Sequence, residues 1–565
     1  MTKHLLILFI ISILSIQLVN SQTVSPDSEL RRIVKTYGQA EVTIPEPGRQ
    51  ETESISRNVS IGSLKNKTLH IILSELTVEW FIKQNYTYKI VEKDAAAKGL
   101  SISESLDQAM EWESYPTYSQ YDSIMQSFSS LYPDLCDIDT IGTSIMGRLV
   151  LVIKISDNAG DDEDEPEVFY TSTMHGDETG GYILMLRLAD YLLKNYAVND
   201  RVTQLVDNLE IWINPLANPD GAYRTGNTIT NPVRWNAQGI DLNRNFPDPD
   251  DPGIILPKEN IDMVRFMRQH NFVLSANFHS GAQVVNYPWD RWPQLHADDA
   301  WFNKISRKYA DTAHFYSIPT YMRDLDNGVT RGILWYPIPG GRQDFVTYEL
   351  QGREVTIELD DSFVTPASEL NFLWQYNWHS LAGYLENALY GIHGIITDAV
   401  TLKPVPARIF IRGHDKDSSH IYSDTLTGSF TRFLAPGVWD LWITANGYQD
   451  TIVTNITLHE IQRIDLNIQM RPFTAPPVPM DIPLLYPNPA SFLLNMMMPE
   501  NIAGNVNITV FSQTGVKISD YDAVVIKGIQ LGYNVSRLAN GVYNVQITSK
   551  LTGASCRGRF VVIRK

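Results

Sequence analysis

EPEVFYTSTMHGDETGGYILMLRLADYLL, residues 165–193, changes its periodicity halfway along. Its first part, to Met174, is rich in aromatic and β-branched residues and reads as a strand. From Tyr182, apolar residues recur at Leu186, Ala189, Leu193 and Tyr196, the spacing of a helix. The junction is MHGDETGG, and it holds His175 and Glu178 at the carboxyl edge of a sheet, where α/β folds place ligands. Zinc takes nitrogen, sulfur and carboxylate donors, and a catalytic site uses three protein ligands with a fourth position left open. His175 and Glu178 supply two. The alternative is a capped helix start with a solvated carboxylate, and the pair alone does not choose.

With 565 residues the chain exceeds one core and predicts about three to four domains. Hydrophobic residues make up 43% and charged residues 19%, so most of the chain is expected to be globular. A net charge of −18 argues against nucleic acid or an anionic membrane as partner and mildly favours cationic substrates. Two cysteines, Cys136 and Cys556, make no disulfide framework. Lys3 and His4 precede the apolar run from Leu5 to Ile16, which predicts a signal peptide over residues 1–21. That run is short for a spanning helix, and no other stretch reaches spanning length.

Residues 22–108 read as a small α+β unit, prosegment-like, with a connector. An α/β region follows over 109–390, a mixed sheet flanked by helices, in which LEIWINP, NFVLSANF and EVTIEL are apolar runs of the kind found in buried strands. Short strands and turn residues over 391–470 predict a β-sandwich. Prolines keep the linker at 471–483 extended, and residues 484–565 again read as short strands. The fold class is therefore an α/β domain followed by two all-β sandwich domains, with a small α+β unit in front.

A third zinc ligand should come from another strand end. His279 closes NFVLSANFH beside the small Ser280–Gly281 pair. GIDLNRNFPD packs Asp241, Asn243, Arg244 and Asn245 together. An arginine beside an asparagine can grip a carboxylate, because the planar guanidinium matches it with two hydrogen bonds. Asp241 is placed to fix a metal-bound histidine through its other nitrogen. Arg234 adds a second positive group, and Glu358, at the end of EVTI, is either paired, solvated or a general base.

HGDE, NPDG, GIDLNRNFPD, NYPWD, GGRQD and TIEL, in that order, resemble the zinc metallocarboxypeptidases of the carboxypeptidase E, N and D branch, over about residues 112–390. The sandwich after them is similar to the transthyretin-like domain of that branch, and the tail from Tyr486 resembles a type IX secretion sorting domain through YPNPA, LANGVY and FVVIRK. The resemblance implies one Zn2+ on His175, Glu178 and His279. It implies Glu358 as the base that activates water, Arg234 at the oxyanion, and Asn243 with Arg244 on the C-terminal carboxylate of a peptide. It also implies Asp290 as the wall of a pocket for a terminal Arg or Lys side chain. A tyrosine should close over the carboxylate. Laid without gaps that position falls on Thr347, and Tyr348, one residue later, takes the role only through a bulge or loop. The implied product is a secreted or surface peptidase acting on peptide or protein C-termini, with the secretion machinery as partner of the tail. Two alternatives stand beside it: a zinc amidase or deacylase of the same fold acting on cell-wall peptides, and an inactive surface binding protein.

Overall fold

The computed structural model describes residues 25–91, 99–473, 482–499, 502, 504–525 and 530–564. The expected signal peptide, part of the connector and most of the proline linker lie outside these residues.

The N-terminal unit carries strands β1 (Ala40–Pro45), β2 (Ser60–Lys65), β3 (Thr68–Leu73) and β4 (Lys89–Ile90) in one antiparallel sheet of order β2-β3-β1-β4. Helices Pro26–Tyr37, Arg49–Ser56 and Val78–Lys83 complete it. The first helix is well signalled. Ser25 caps it by accepting the Ser28 N–H, Pro26 stands at its first turn, and Gly38 ends it in the left-handed region. Only Leu30 and Val34 bury, so its periodic signal is thin. The core of this unit does not close on itself. It continues into Ala282, Val284, Trp335, Tyr336 and Ile338 of the next domain.

Eight strands form the central sheet: β5 (Cys136–Thr143), β6 (Leu149–Ile155), β7 (Glu167–Ser172), β8 (Glu210–Asn214), β9 (Phe272–His279), β10 (Ala282–Tyr287), β11 (Val329–Arg331) and β12 (Arg353–Asp360). Their order is β11-β10-β12-β9-β7-β8-β6-β5. The middle strands β8, β7, β9 and β12 run parallel, and antiparallel pairs lie to either side. Both faces are covered, which is why these strands read as apolar runs. Val168 and Tyr170 of β7 pack into one core with the helices Gly180–Asn195 and Leu370–Leu385, while Phe169 between them packs into another, stacked on Phe272. The parallel arrangement brings the C-terminal ends of β7, β9 and β12 side by side.

Two pairs of sheets follow, of three and four strands each, over Gly391–Met470 and Leu484–Val562. The first is clamped to the central domain by a buried charge node. Asp298 accepts from Arg353 Nη2 at 2.7 Å, Arg432 Nη1 at 2.8 Å and His414 Nε2 at 2.9 Å. Two guanidinium groups on one carboxylate leave no room for a cation there. Among the described residues no helix is long and apolar enough to cross a membrane.

Candidate metal centre and substrate cleft

The chain leaves β7 through a tight turn. Thr173 adopts φ 55, and its hydroxyl donates to the Glu178 carbonyl at 3.0 Å, which closes the loop on itself. Non-glycine residues with positive φ concentrate at functional sites, where the surrounding structure holds them. Gly176 lies against Gly221 of the NPDG segment so closely that a Cβ on it would stand 2.2 Å from the Gly221 carbonyl carbon. Asn218 of the same segment donates to the carbonyls of Met174 at 3.1 Å and Arg234 at 3.3 Å, tying the histidine turn to the arginine turn.

His175 and Glu178 from this turn meet His279, the last residue of β9. His175 Nδ1 is 2.8 Å from Glu178 Oε1, His279 Nδ1 is 2.7 Å from Glu178 Oε2, and the two Nδ1 atoms are 3.1 Å apart. Two imidazole nitrogens and a carboxylate converge on one point, and all three residues are buried. Burial holds the His279 imidazole at about 4, and the Glu178 carboxyl, which burial alone would raise, is pulled down by His175 and His279. Burial and Arg234 act to lower the His175 imidazole, but Glu178 and Asp241 carry it above its ordinary value, so a metal bound here would displace a proton from it. Two imidazole nitrogens and a carboxylate are a donor set that fits zinc. The far nitrogen of His175 faces Asp241 Oδ1 at 3.0 Å, and Arg234 donates to both Asp241 Oδ2 at 2.9 Å and Glu178 Oε1 at 3.1 Å.

Glu358 sits opposite His279 in the parallel β9–β12 register, so both side chains share a face. Its Oε2 is shielded from solvent without a hydrogen-bond partner. Burial, then the charge of Glu178, push its carboxyl well above the usual range. Asn243 accepts the Arg342 N–H at 2.9 Å through Oδ1. Arg244 donates one Nη to the Asn243 carbonyl at 2.9 Å, while its buried Nε has no partner.

Asp290 is buried, and among the described residues it makes no ion pair; its neighbour Arg291 pairs with Asp248 and Asp250 instead. Neutral donors hold it, Asn286 Nδ2 at 2.8 Å and Gln343 Nε2 at 2.9 Å. The carbonyl oxygens of both amides, Asn286 Oδ1 and Gln343 Oε1, are themselves buried and unpartnered. Gly332 keeps space in front of them, since a Cβ there would lie 1.8 Å from Asp290 Oδ1 and 2.8 Å from Asn286 Oδ1.

Tyr348 is a correction. Residues Arg342–Glu349 form a helix, not a strand, and it turns Tyr348 outward. Its ring lies against Trp292 at 5.2 Å and Trp289 at 6.2 Å, and its hydroxyl meets Ser491 and Ser418. Thr347 is buried within the same helix. The tyrosine at the cleft is Tyr336, just after the short helix Gly332–Trp335, where the charges of Arg244, Glu358, Arg234 and Asp290 all reach its hydroxyl. Sequence reasoning counted from the glycine pair and missed it. The adjacent aromatics in LWYPIP were the available signal.

The N-terminal unit meets the same cleft. Ser60 donates its hydroxyl to Asp241, Gln39 donates to Asp177 at 2.7 Å and accepts the Arg234 N–H at 2.8 Å, and Ile61 offers its carbonyl to the Tyr336 hydroxyl at 3.5 Å.

Residues 121–380 match the zinc carboxypeptidase family, and residues 484–562 match the secretion system C-terminal sorting domain. The chain is similar to carboxypeptidase D of Homo sapiens, with 34% identity over 61% of this chain and 26% of that one, so it spans about a quarter of that relative. Similarity to the carboxypeptidase N catalytic chain of Homo sapiens is 32% over 60% of this chain and 82% of the relative, and to carboxypeptidase SOL1 of Arabidopsis thaliana 32% over 60% and 69%. The crystal structure of carboxypeptidase A from Helicoverpa armigera shares the fold, with a TM-score of 0.50 and 17% identity over 62% of this chain and 98% of that one.

Proposed function

Because this chain belongs to the zinc carboxypeptidase family, we propose that it is a zinc-dependent exopeptidase that removes a C-terminal Arg or Lys from peptides and proteins. His175, Glu178 and His279 hold the metal, and Asp241 fixes His175. Zinc, when bound, supplies Lewis acidity that polarises the scissile carbonyl and lowers the pKa of water. Glu358 takes the proton from the attacking water and hands it to the leaving amine; a carboxyl raised in pKa is suited to both halves of that task. Arg234 faces the developing oxyanion, because a fixed cation in a buried site stabilises charge that appears only in the transition state. Asn243 and Arg244 hold the substrate's terminal carboxylate, and the unpartnered Arg244 Nε is a donor awaiting an anion. Tyr336 closes over that carboxylate.

The observation that carries the side-chain preference is the group of three buried acceptors, Asp290, Asn286 and Gln343, with no cation among them. A guanidinium or ammonium satisfies all three, while a leucine side chain leaves a buried charge uncompensated. Matched peptides ending in Arg, Lys, Leu and Phe test this. Asp290→Ala is expected to cost about 2 kcal/mol or more in kcat/KM for Arg, roughly 30-fold, and little for Leu. Burial pushes the Asp290 carboxyl up to about 7, so it ionises in the free enzyme as pH rises through that value. Preference for Arg over Leu should therefore grow across neutral pH and become flat in Asp290→Asn. A wild-type preference for Leu or Phe defeats the assignment.

The sorting-domain match supports secretion or attachment at the cell surface, with the tail as the part read by the export machinery. The N-terminal unit is proposed as a prosegment that covers the cleft. The amidase and inactive-binder readings are not favoured, since the ligand set, Glu358 and the Asn243–Arg244 pair are all in place. His279→Ala is expected to lose zinc on dialysis, measured by metal analysis.

A further inference from the structure

Asp290 stands on the loop that leads from β10 to the helix Asp299–Phe315, and the far end of that loop is held by another domain. Asp298, the last residue before the helix, carries the buried charge node. Arg432 ends the strand Ser429–Arg432 of the β-sheet domain over Gly391–Met470. It grips the Asp298 carboxylate with both arms, Nη1 on Oδ2 at 2.8 Å and Nη2 on Oδ1 at 3.1 Å. The same guanidinium donates to Asp415 Oδ1 and to the Phe433 carbonyl, each at 2.6 Å, so its own domain aims it. Phe433 in turn stacks on Trp301 of the helix, with ring centres 4.8 Å apart. From Asp298 the packing runs back to the pocket. The Asp298 main-chain N–H donates to His296 Nδ1 at 2.9 Å. Burial holds the His296 imidazole at about 3, so it is neutral and that nitrogen can accept. Its ring lies 5.0 Å from the ring of Trp289, the residue before Asp290. Trp289, His296, Asp298 and Arg432 are each at most 3% exposed, and close-packed interiors transmit displacement.

We propose that the β-sheet domain over Gly391–Met470 positions the side-chain pocket, with Arg432 as the positioning residue, acting through Asp298, His296 and Trp289 on Asp290. The inference rests on reading Asp290 as the wall that meets a terminal Arg or Lys. Asp344 pins the other end of the loop by accepting the main-chain N–H groups of Asp290 and Arg291, each at 3.0 Å. Arg432 thus supplies one of two anchors, and its loss loosens the pocket without dissolving it. A cation held by Asp290 needs short, directed hydrogen bonds, which weaken steeply with misalignment. A leucine side chain has no directed contact there to lose. Loosening the loop therefore lowers the rate on Arg substrates and spares Leu. His175, Glu178 and His279 stand at the ends of β7 and β9, outside this loop. When Arg432 is replaced, Arg353 and His414 stay on Asp298, so its charge keeps partners and the chain is expected to fold.

The test is the ratio of kcat/KM for matched peptides ending in Arg and in Leu, both measured on one sample of the zinc-loaded full chain. That ratio does not depend on how much of the sample is folded, so a merely structural loss leaves it unmoved. Arg432→Gln should lower it about 2- to 30-fold, the range of coupling carried through packed residues. Arg432→Lys, which keeps the charge but not the two-armed grip, should fall in between. His296→Phe keeps a ring on Trp289 and removes the acceptor of the Asp298 N–H without touching the β-sheet domain. It should shift the ratio in the same direction, and it decides the matter should Arg432→Gln fail to fold. An unchanged ratio in either folded variant, with both rate constants reduced together or not at all, overturns the proposal. The wild type separates the two levels. No preference for Arg over Leu there defeats the pocket reading and this proposal with it, whereas a clear preference left intact by both variants removes only the positioning role.

Discussion

Glu358→Gln is expected to lower kcat by about 100- to 10,000-fold, the range a positioned general base contributes, while zinc content stays at the wild-type value. The substitution keeps the shape of the side chain and removes only its ability to take a proton. Glu358 touches none of the metal-facing nitrogens: the contacts that gather His175, Glu178 and His279 are made among themselves and with Asp241, Asn277 and Arg234. Stability should not fall. The wild-type carboxyl is raised by burial and has an oxygen without a partner, and a neutral amide loses nothing there. The check pairs steady-state kinetics with metal analysis on the same sample. Activity within a few-fold of wild type would place the base elsewhere.

The second large effect concerns the N-terminal unit. Ser60, Gln39 and Ile61 occupy polar partners in the cleft, namely Asp241, Asp177, the Arg234 N–H and the Tyr336 hydroxyl, and Val284, Trp335 and Ile338 complete the unit's core. A substrate reaching Arg234 and Tyr336 meets this surface first. Cutting the folded chain between Val91 and Gly99 and removing the released piece is expected to raise kcat/KM by about tenfold or more, the gain when a competent state rises from roughly a tenth to nearly all of the population. Chains made without the unit should fold poorly, because Ala282, Val284, Trp335 and Ile338 would face water. Equal activity before and after cutting, with the unit shown to have left, contradicts the covering role.

The three residues proposed to hold the metal were legible in the sequence because each carries a local cue. His175 and Glu178 stand where the period changes from two to 3.6, and His279 ends an apolar run beside small residues. The polar density of GIDLNRNFPD marked Asp241, Asn243 and Arg244 in the same way. Tyr336 was not legible by counting, because residues 342–349 wind as a helix and the count had assumed a strand. What lies between distant segments left no local mark. Ser60 against Asp241, Arg432 against Asp298 and Arg342 against Thr171 are pairings that only the folded chain creates. Arg342, in the first turn of the helix Arg342–Glu349, is wholly buried.

The proposed activity is exopeptidase action at a free C-terminal carboxylate. Mass spectrometry of a peptide mixture, incubated with zinc-loaded protein freed of its N-terminal unit, measures it most directly. Products one residue shorter at the C-terminus are expected, first from peptides ending in Arg or Lys, with C-terminally amidated copies left intact because Asn243 and Arg244 then have no carboxylate to hold. Internal cleavage, or equal shortening of the amidated copies, would contradict it.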